Sequence, residues 1–107
     1  MSYVSVGDGS VNNAHFLAAV NLAEYAAFRG VPCPVVFAVS DNGVCISLRG
    51  HGWVEAFLEK RLSMPVFRCD GTDVASVLSA TTAALEACAA AAAHDHPLDL
   101  KNPFIIP

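Results

Sequence analysis

A continuous apolar run at residues 35–39 constrains the fold of this chain more than any other feature. Pro32 and Pro34 precede the run and Asp41-Asn42-Gly43 follows it, so turn-forming residues bound it on both sides. Five apolar residues without alternation are typical of a strand that is buried on both faces, as in parallel sheets. The run therefore predicts a central strand with other elements packed above and below it.

Strand-like and helix-like segments alternate along the rest of the chain. Strands are predicted at 2–6 and 65–69, with a fourth short strand at 98–101, and helices at 12–28 and 53–62. A third helix follows a cap at Thr72 or Asp73. Its apolar stripe is predicted from Val74, Val77, Leu78, Thr81, Leu85 and Cys88. The tail, 102–107, is predicted to be irregular. This alternation predicts an α/β fold with a parallel sheet and helices on both faces, in a single domain.

The composition is unusually apolar, with 54% hydrophobic and 15% charged residues, whereas an ordinary soluble domain has about 25% charged residues. A membrane-spanning helix needs about 20 apolar residues, and Glu24, Arg29 and Glu86 interrupt the longer candidates. We therefore expect no membrane segment but a surface that is largely covered by protein. The first helix supports this, because its apolar residues do not share one face. These are Phe16, Leu17, Val20, Leu22, Tyr25, Ala26 and Phe28.

The net charge and the cysteine spacing argue against a nucleic-acid-binding protein and against a zinc-binding protein. The net charge is −4 and the six Lys and Arg residues do not cluster, so nucleic acid is not an expected partner. Cys33, Cys45, Cys69 and Cys88 have no CxxC spacing, so we expect buried free thiols rather than a zinc site. Cys45 is interpreted as a packing residue rather than a nucleophile.

Two turns carry the chemistry that the residues indicate. Gly7-Asp8-Gly9-Ser10 lies between a predicted strand and a helix, and Asp41-Asn42-Gly43 ends the next strand. In a parallel sheet both turns lie at the carboxyl edge, where Asp8 and Asn42 converge if the strands are neighbours. Carboxylate and amide oxygens suit magnesium, and glycines followed by a helix N-terminus suit phosphate. The pair predicts a phosphate and divalent metal site, although each turn alone is ordinary turn chemistry.

The stretch GDGSVNNAHFLAAVNLAEYAAFRGVPCPVVFAVSDNGVCISLRGHGW resembles the decarboxylating first component of 2-oxo acid dehydrogenase complexes. It is most similar to the branched-chain type, including single-chain forms that fuse the alpha and beta halves. The signature of that family is GDG followed, after one helix and one strand, by NN or DN. The likeness continues through FRCDGTDVASV, and so extends from position 3 to about 100. It implies an incomplete three-layer fold of the thiamine diphosphate-binding type.

The resemblance also implies two cofactors, thiamine diphosphate and Mg²⁺. Side-chain oxygens of Asp8 and Asn42 and the carbonyl oxygen of Val44 would be the metal ligands. The backbone N–H groups of Gly9 and Ser10 would meet the diphosphate. Ile46 and the neighbouring Ser47 would line the cofactor channel. No catalytic residue is assigned to this chain.

The implied function is oxidative decarboxylation of a 2-oxo acid, with transfer of the acyl group to a lipoyl carrier. Residues 1–107 would be a partial domain that is inactive by itself, since the glutamate that activates the cofactor belongs to the beta-type half. The expected partners are the remainder of the alpha-type domain, a beta-type half and a lipoyl-bearing acyltransferase, in an oligomer. The expected location is the mitochondrial matrix in a eukaryote and the cytoplasm in a bacterium.

Three alternatives stay open: a transketolase-like thiamine enzyme, a non-catalytic remnant or assembly subunit, and a generic nucleotide-binding domain. The remaining polar residues are interpreted conservatively. His15 and Asn21 are assigned to packing or interface contacts, and His94 and His96 to a solvated helix end. His51, in a glycine-rich loop, is the one histidine with a substrate-facing alternative.

Overall fold

Strands and helices alternate in the computed structural model, which describes residues 1–45, 49–61, 64–93 and 104–106. The strands are β1 (Ser2–Gly7), β2 (Val35–Ser40), β3 (Val66–Arg68) and β4 (Phe104–Ile106). The helices are α1 (Ala14–Phe28), α2 (Trp53–Arg61) and α3 (Val74–Ala93), and a short 3-10 helix over Asp8–Ser10 follows β1. The order of elements predicted from the sequence is confirmed through α3.

The strands form one parallel sheet in the order β1-β2-β4-β3. The prediction of an irregular tail was therefore wrong for Phe104–Ile106, which pair with β2 on one side and β3 on the other. Without β4, the facing edges of β2 and β3 would hold unpaired N–H and C=O groups inside the protein, which is unfavourable. Residues 98–101, where a strand was predicted, lie outside the described residues, as do 102, 103 and 107.

The central strand β2 has apolar contacts on both faces, as its sequence predicts. Its residues from Val36 to Val39 are all at most 6% exposed. Phe37 and Val39 pack in one cluster with residues of α1 and α2, and Val36 packs in a second cluster with residues of α3. The chain moves from β1 through β2 to β3 and then turns back to β4. Right-handed crossovers therefore place α3 on the face opposite α1 and α2.

The buried face of α3 differs from the predicted one. Val74 and Leu78, which were expected in the core, are 82% and 66% exposed. Ala80 and Ala84 are buried instead, together with Cys88 of the predicted stripe. Small side chains let the helix backbone approach the sheet closely, whereas the sequence pattern had selected the larger apolar residues. The prediction was right for Cys88 and wrong at the start of the helix.

The described residues bury helix α1 on one face only. Phe16, Val20 and Ala23 face the sheet. Leu22 and Phe28 are 66% and 73% exposed, so the burial on several sides that the sequence predicts is not made by the described residues.

One helix in the described part of the chain, α3, is long and apolar enough to span a membrane by length and composition alone. Its window Val74–Ala91 has a mean hydropathy of 1.5, and the single acidic residue within it, Glu86, does not exclude it. The packing of α3 supports a different assignment. It connects two strands of one sheet and contacts β2, β3 and β4, which is the position of a core helix in an α/β domain.

Candidate functional site

The turns after β1 and β2 lie side by side at the carboxyl edge of the sheet. The two strands are parallel neighbours, and the last residues of each, Gly7 and Ser40, are paired in register. Asp8 and Asp41 are therefore the first residues to leave the sheet at the same edge. Ligands of open parallel sheets bind at this edge, so the position of the two turns agrees with the site predicted from the sequence.

Asp8 connects the two turns directly. Its side chain is buried, with 7% exposed. Its Oδ1 accepts a hydrogen bond from the N–H of Gly9 at 2.8 Å, and its Oδ2 accepts one from the N–H of Cys45 at 3.3 Å. Residues 37 positions apart are thus joined at one carboxylate.

The surroundings of Asp8 favour its charged form. Burial opposes ionisation, but hydrogen bonds from the N–H groups of Cys45 and Gly9 lower the pKa of the carboxyl group. A contact with the Asp41 side chain and a hydrogen bond from the N–H of Asn42 lower the pKa of Asp8 further, so the net shift is downward. Asp8 is therefore a buried carboxylate at neutral pH, and backbone dipoles rather than a cationic side chain stabilise its charge.

The turn after β2 is held by its own polar side chains. Asp41 Oδ1 accepts from the N–H of Gly43 at 2.8 Å, and Asn42 Oδ1 accepts from the N–H of Val44 at 3.0 Å. The N–H of Cys45 then donates to Asp8. Three consecutive backbone N–H groups thus each bind a side-chain oxygen, an arrangement related to the anion-binding concavities formed by successive N–H groups.

A second segment folds back onto this turn. The N–H of Gly50 donates to the carbonyl oxygen of Gly43 at 2.9 Å, and the ring of His51 lies against Gly43. His51 is therefore close to the predicted metal loop. The substrate-facing alternative for His51 remains a prediction.

The predicted cofactor residues differ in how they are presented. Asn42 and Val44 are exposed beside Asp8, and Ser10 is exposed in the 3-10 helix. The N–H of Gly9, expected to meet the diphosphate, is bound to Asp8 Oδ1. Ile46 lies outside the described residues, together with Ser47.

Helix α1 begins farther from the GDG turn than the sequence predicts. It starts at Ala14 rather than near residue 12, and Asn13 caps it by accepting from the N–H of His15 at 2.9 Å. Asp8 and Gly9 therefore belong to the 3-10 helix Asp8–Ser10 and are separated from α1 by residues 11–13. His15 and Asn21 are both exposed, so their predicted packing is not made within the described residues.

The donor set at this edge fits Mg²⁺. Magnesium prefers carboxylate, amide and carbonyl oxygens, which Asp8, Asn42 and Val44 can supply. An oxygen that accepts one hydrogen bond keeps a second lone pair for an ion. The described residues contain no group of three His, Cys, Asp or Glu side chains that could hold a metal. A metal here would therefore need the amide and backbone oxygens as well as Asp8.

An open cavity of about 570 Å³ adjoins the turn after β2. Ser40, Asp41 and Asn42 line one wall, and residues 69–72, which follow β3, line the other. In that second wall, Asp70 Oδ1 accepts from the N–H and the hydroxyl of Thr72 at 2.9 and 2.6 Å, which lowers the pKa of Asp70. No site residue was predicted in this loop, although its Asp-Gly turn at a strand end was a usable signal.

The four cysteines are free, as predicted, but the predicted burial holds for Cys88 alone, since Cys33, Cys45 and Cys69 are half-buried. Burial raises the pKa of the Cys45 thiol, and the nearby carboxylates of Asp8 and Asp41 raise it further. A thiol that is harder to ionise is a poor nucleophile, which agrees with the interpretation that Cys45 is not one.

Comparison with known families agrees with this geometry. The family model described as dehydrogenase E1 component matches residues 1–97 of the 107-residue chain. No curated protein and no solved structure gives a significant match. The match confirms the resemblance stated from the sequence motifs. The chain belongs to the dehydrogenase E1 component family, the thiamine-dependent components of 2-oxo acid dehydrogenase complexes.

Proposed function

We propose that this chain provides the magnesium–diphosphate anchor of a thiamine diphosphate-dependent 2-oxo acid dehydrogenase. Family membership supports the class of reaction. The observation that carries the site is the hydrogen bond from the Cys45 N–H to Asp8 Oδ2, because it brings both halves of the motif to one point.

In this proposal the side-chain oxygens of Asp8 and Asn42 and the carbonyl oxygen of Val44 hold Mg²⁺. Asp8 contributes a negative charge that is already present at neutral pH. The N–H of Ser10 would be a donor to the diphosphate. Gly9 can contribute its N–H only by sharing it with, or releasing it from, Asp8 Oδ1. When bound, thiamine diphosphate supplies the nucleophilic carbon and the electron sink for decarboxylation.

The proposed context is a larger three-layer thiamine diphosphate-binding fold in which Ile46 lines the cofactor channel. The exposed apolar face of α1, with Leu22 and Phe28, supports a cover from the rest of an alpha-type domain or from a beta-type half. The proposed substrate is a branched-chain 2-oxo acid, and the acyl acceptor is a lipoyl-bearing acyltransferase. By resemblance the activating glutamate comes from the beta-type half, so turnover requires that half. The proposed location is the mitochondrial matrix or a bacterial cytoplasm.

A thermal melt with thiamine diphosphate and Mg²⁺ tests the anchor. A ligand that binds the folded state alone raises Tm by mass action, on the order of 10 °C at about a hundred times its Kd. We expect EDTA to abolish this rise, and Asp8→Asn to abolish it too, because the amide keeps the shape but loses the charge. Asp73→Asn is the matched control, since Asp73 lies at the N-terminus of α3 and asparagine caps a helix equally well.

The outcomes separate the candidates. A rise in Tm that persists in EDTA or in Asp8→Asn contradicts the proposed anchor. An equal rise with ATP and Mg²⁺ favours a generic nucleotide site, and turnover with an aldehyde acceptor by the assembled enzyme favours transketolase-like chemistry.

A non-catalytic assembly subunit is the second candidate, and the exposed face of α1 is the observation that favours it. That candidate predicts association in sedimentation experiments without any cofactor effect, and monomers at high concentration would speak against it.

A further inference from the structure

Cys45 has an unusual backbone conformation. In the described part of the chain it is the one non-glycine residue with a positive φ, at 44°. Residues other than glycine, asparagine and aspartate rarely adopt this left-handed backbone conformation, because their Cβ atom crowds the backbone. Such residues cluster at functional sites, where surrounding contacts hold them in place.

The φ of Cys45 is the torsion that follows the Val44–Cys45 peptide plane. A residue that cannot adopt the positive value would have to rotate this plane, with its N–H group, to keep the path of the chain. The two preceding N–H groups, of Gly43 and Val44, are bound inside the turn by Asp41 and Asn42. The N–H of Cys45 leaves the turn instead and reaches Asp8 Oδ2 on the neighbouring strand end, at 3.3 Å. The N–H of Cys45 thus adds a backbone bond to the contacts that Asp41 and Asn42, earlier in the turn, make with the Asp8 carboxylate.

We infer that Cys45 is a positioning residue: its left-handed φ lets the Val44–Cys45 peptide plane keep its N–H aimed at Asp8, and this bond fixes the carboxylate in the orientation that holds the metal. This inference rests on the proposed function of Asp8 as a metal ligand. Asp8 Oδ1 is bound by Gly9 on its own side of the site. The bond from Cys45 joins the carboxylate to the backbone directly after Val44, in addition to its contacts with the Asp41 side chain and the Asn42 N–H.

The side chain of Cys45 is compatible with this role. It is small and half-buried, and its thiol also contacts the Asp8 carboxylate. A β-branched side chain at this position would resist the left-handed conformation, whereas glycine would adopt it without steric cost. The backbone geometry and the side-chain chemistry can therefore be separated by substitution.

The experiment compares Cys45→Gly, Cys45→Ala and Cys45→Val in the full chain, with two readouts. The first is amide hydrogen exchange of residue 45 without any ligand. The second is the affinity for Mg²⁺ in the presence of thiamine diphosphate, measured by calorimetry. We expect Cys45→Gly to keep a protected amide and near-native affinity. We expect Cys45→Val to lose protection and to bind roughly ten- to hundredfold more weakly, the loss expected for a hydrogen bond to a charged group.

Cys45→Ala separates the thiol from the backbone and serves if Cys45→Val fails to fold. It keeps part of the steric strain but has no thiol, so we expect protection and affinity between those of the other two variants. Equal amide protection in all variants would overturn the inference. Equal affinity in Cys45→Val and the unaltered chain would also overturn it, while leaving the anchor itself intact. If the unaltered chain binds no cofactor, the proposed function fails, and the exchange experiment still decides whether Cys45 positions Asp8.

Discussion

The imidazole of His51 lies so close to Gly43 that a Cβ on Gly43 would be 2.5 Å from both Cε1 and Nδ1 of the ring. Gly43 also has a φ of 72°, and its carbonyl oxygen accepts from Gly50 at 2.9 Å. The segment around His51 therefore closes over the proposed metal loop at a residue without a side chain. Both the backbone angle and the ring contact require glycine at this position.

Gly43→Ala should lower the free energy of unfolding by about 1–3 kcal/mol, because alanine is strained at a positive φ and its Cβ would displace the His51 ring. Urea denaturation measures this change. Gly7→Ala is the matched control, since Gly7 has an ordinary φ of −86° and a Cβ there meets nothing within 4 Å. The double variant Gly43→Ala, His51→Ala should recover the steric part of the loss only. Equal stability of Gly43→Ala and Gly7→Ala would contradict the prediction.

Asp8 should make stability depend on pH in the acid range. Its pKa in the folded chain lies below the ordinary value of 3.8. The ionised carboxylate therefore stabilises the folded state above that value, and the contribution is lost as the pH falls through the lower folded pKa. Urea denaturation from pH 6 down to about pH 2 should show a steeper loss of stability for the unaltered chain than for Asp8→Asn. Parallel curves for the two proteins would show that the Asp8 carboxylate is not stabilised by folding.

Ala84→Leu should destabilise the chain by about 1–3 kcal/mol, because Ala84 is fully buried between α3 and the sheet and a larger side chain overpacks that contact. Leu78→Ala should change the free energy of unfolding by less than about 0.5 kcal/mol, since Leu78 is 66% exposed. Thermal melts of the two variants measure the contrast. A larger loss of stability in Leu78→Ala than in Ala84→Leu would mean that Leu78 is in the core, as the sequence pattern predicts.

Ile105→Pro should disrupt the middle of the sheet. Ile105 pairs with Ala38 of β2 and with Phe67 of β3, and proline in a central strand removes a ladder hydrogen bond and distorts the pairing. We expect a loss of at least about 1–3 kcal/mol, together with faster amide exchange in β2 and β3. Ile105→Val is the control, because valine suits a strand. Unchanged exchange in β3 of Ile105→Pro would mean that the tail does not hold β2 and β3 together.

Local patterns were sufficient for the parts of the site that depend on neighbouring residues in the chain. The unbroken apolar run at 35–39 predicted β2, and the Asp-Gly and Asp-Asn-Gly turns predicted the two strand ends that meet at Asp8. The first helix and its end at Phe28 were also predictable, although its start was not. Asn13 caps α1, so Asn12 and Asn13, which were predicted as helix, precede it.

The sequence by itself determined the alternation of strands and helices, the central position of β2 and the family, since apolar periodicity, turn residues and motif spacing are local properties of the chain. Only the tertiary structure decided that Phe104–Ile106 enter the sheet between β2 and β3. It also decided that alanines rather than Val74 and Leu78 face the sheet. Finally, it decided that Cys45 adopts a left-handed φ and that its N–H donates to Asp8. Each of these depends on which backbone edges and surfaces are left to be covered once distant segments meet. The balance of strand-pairing and packing energies that covers them cannot be predicted from any short stretch of residues.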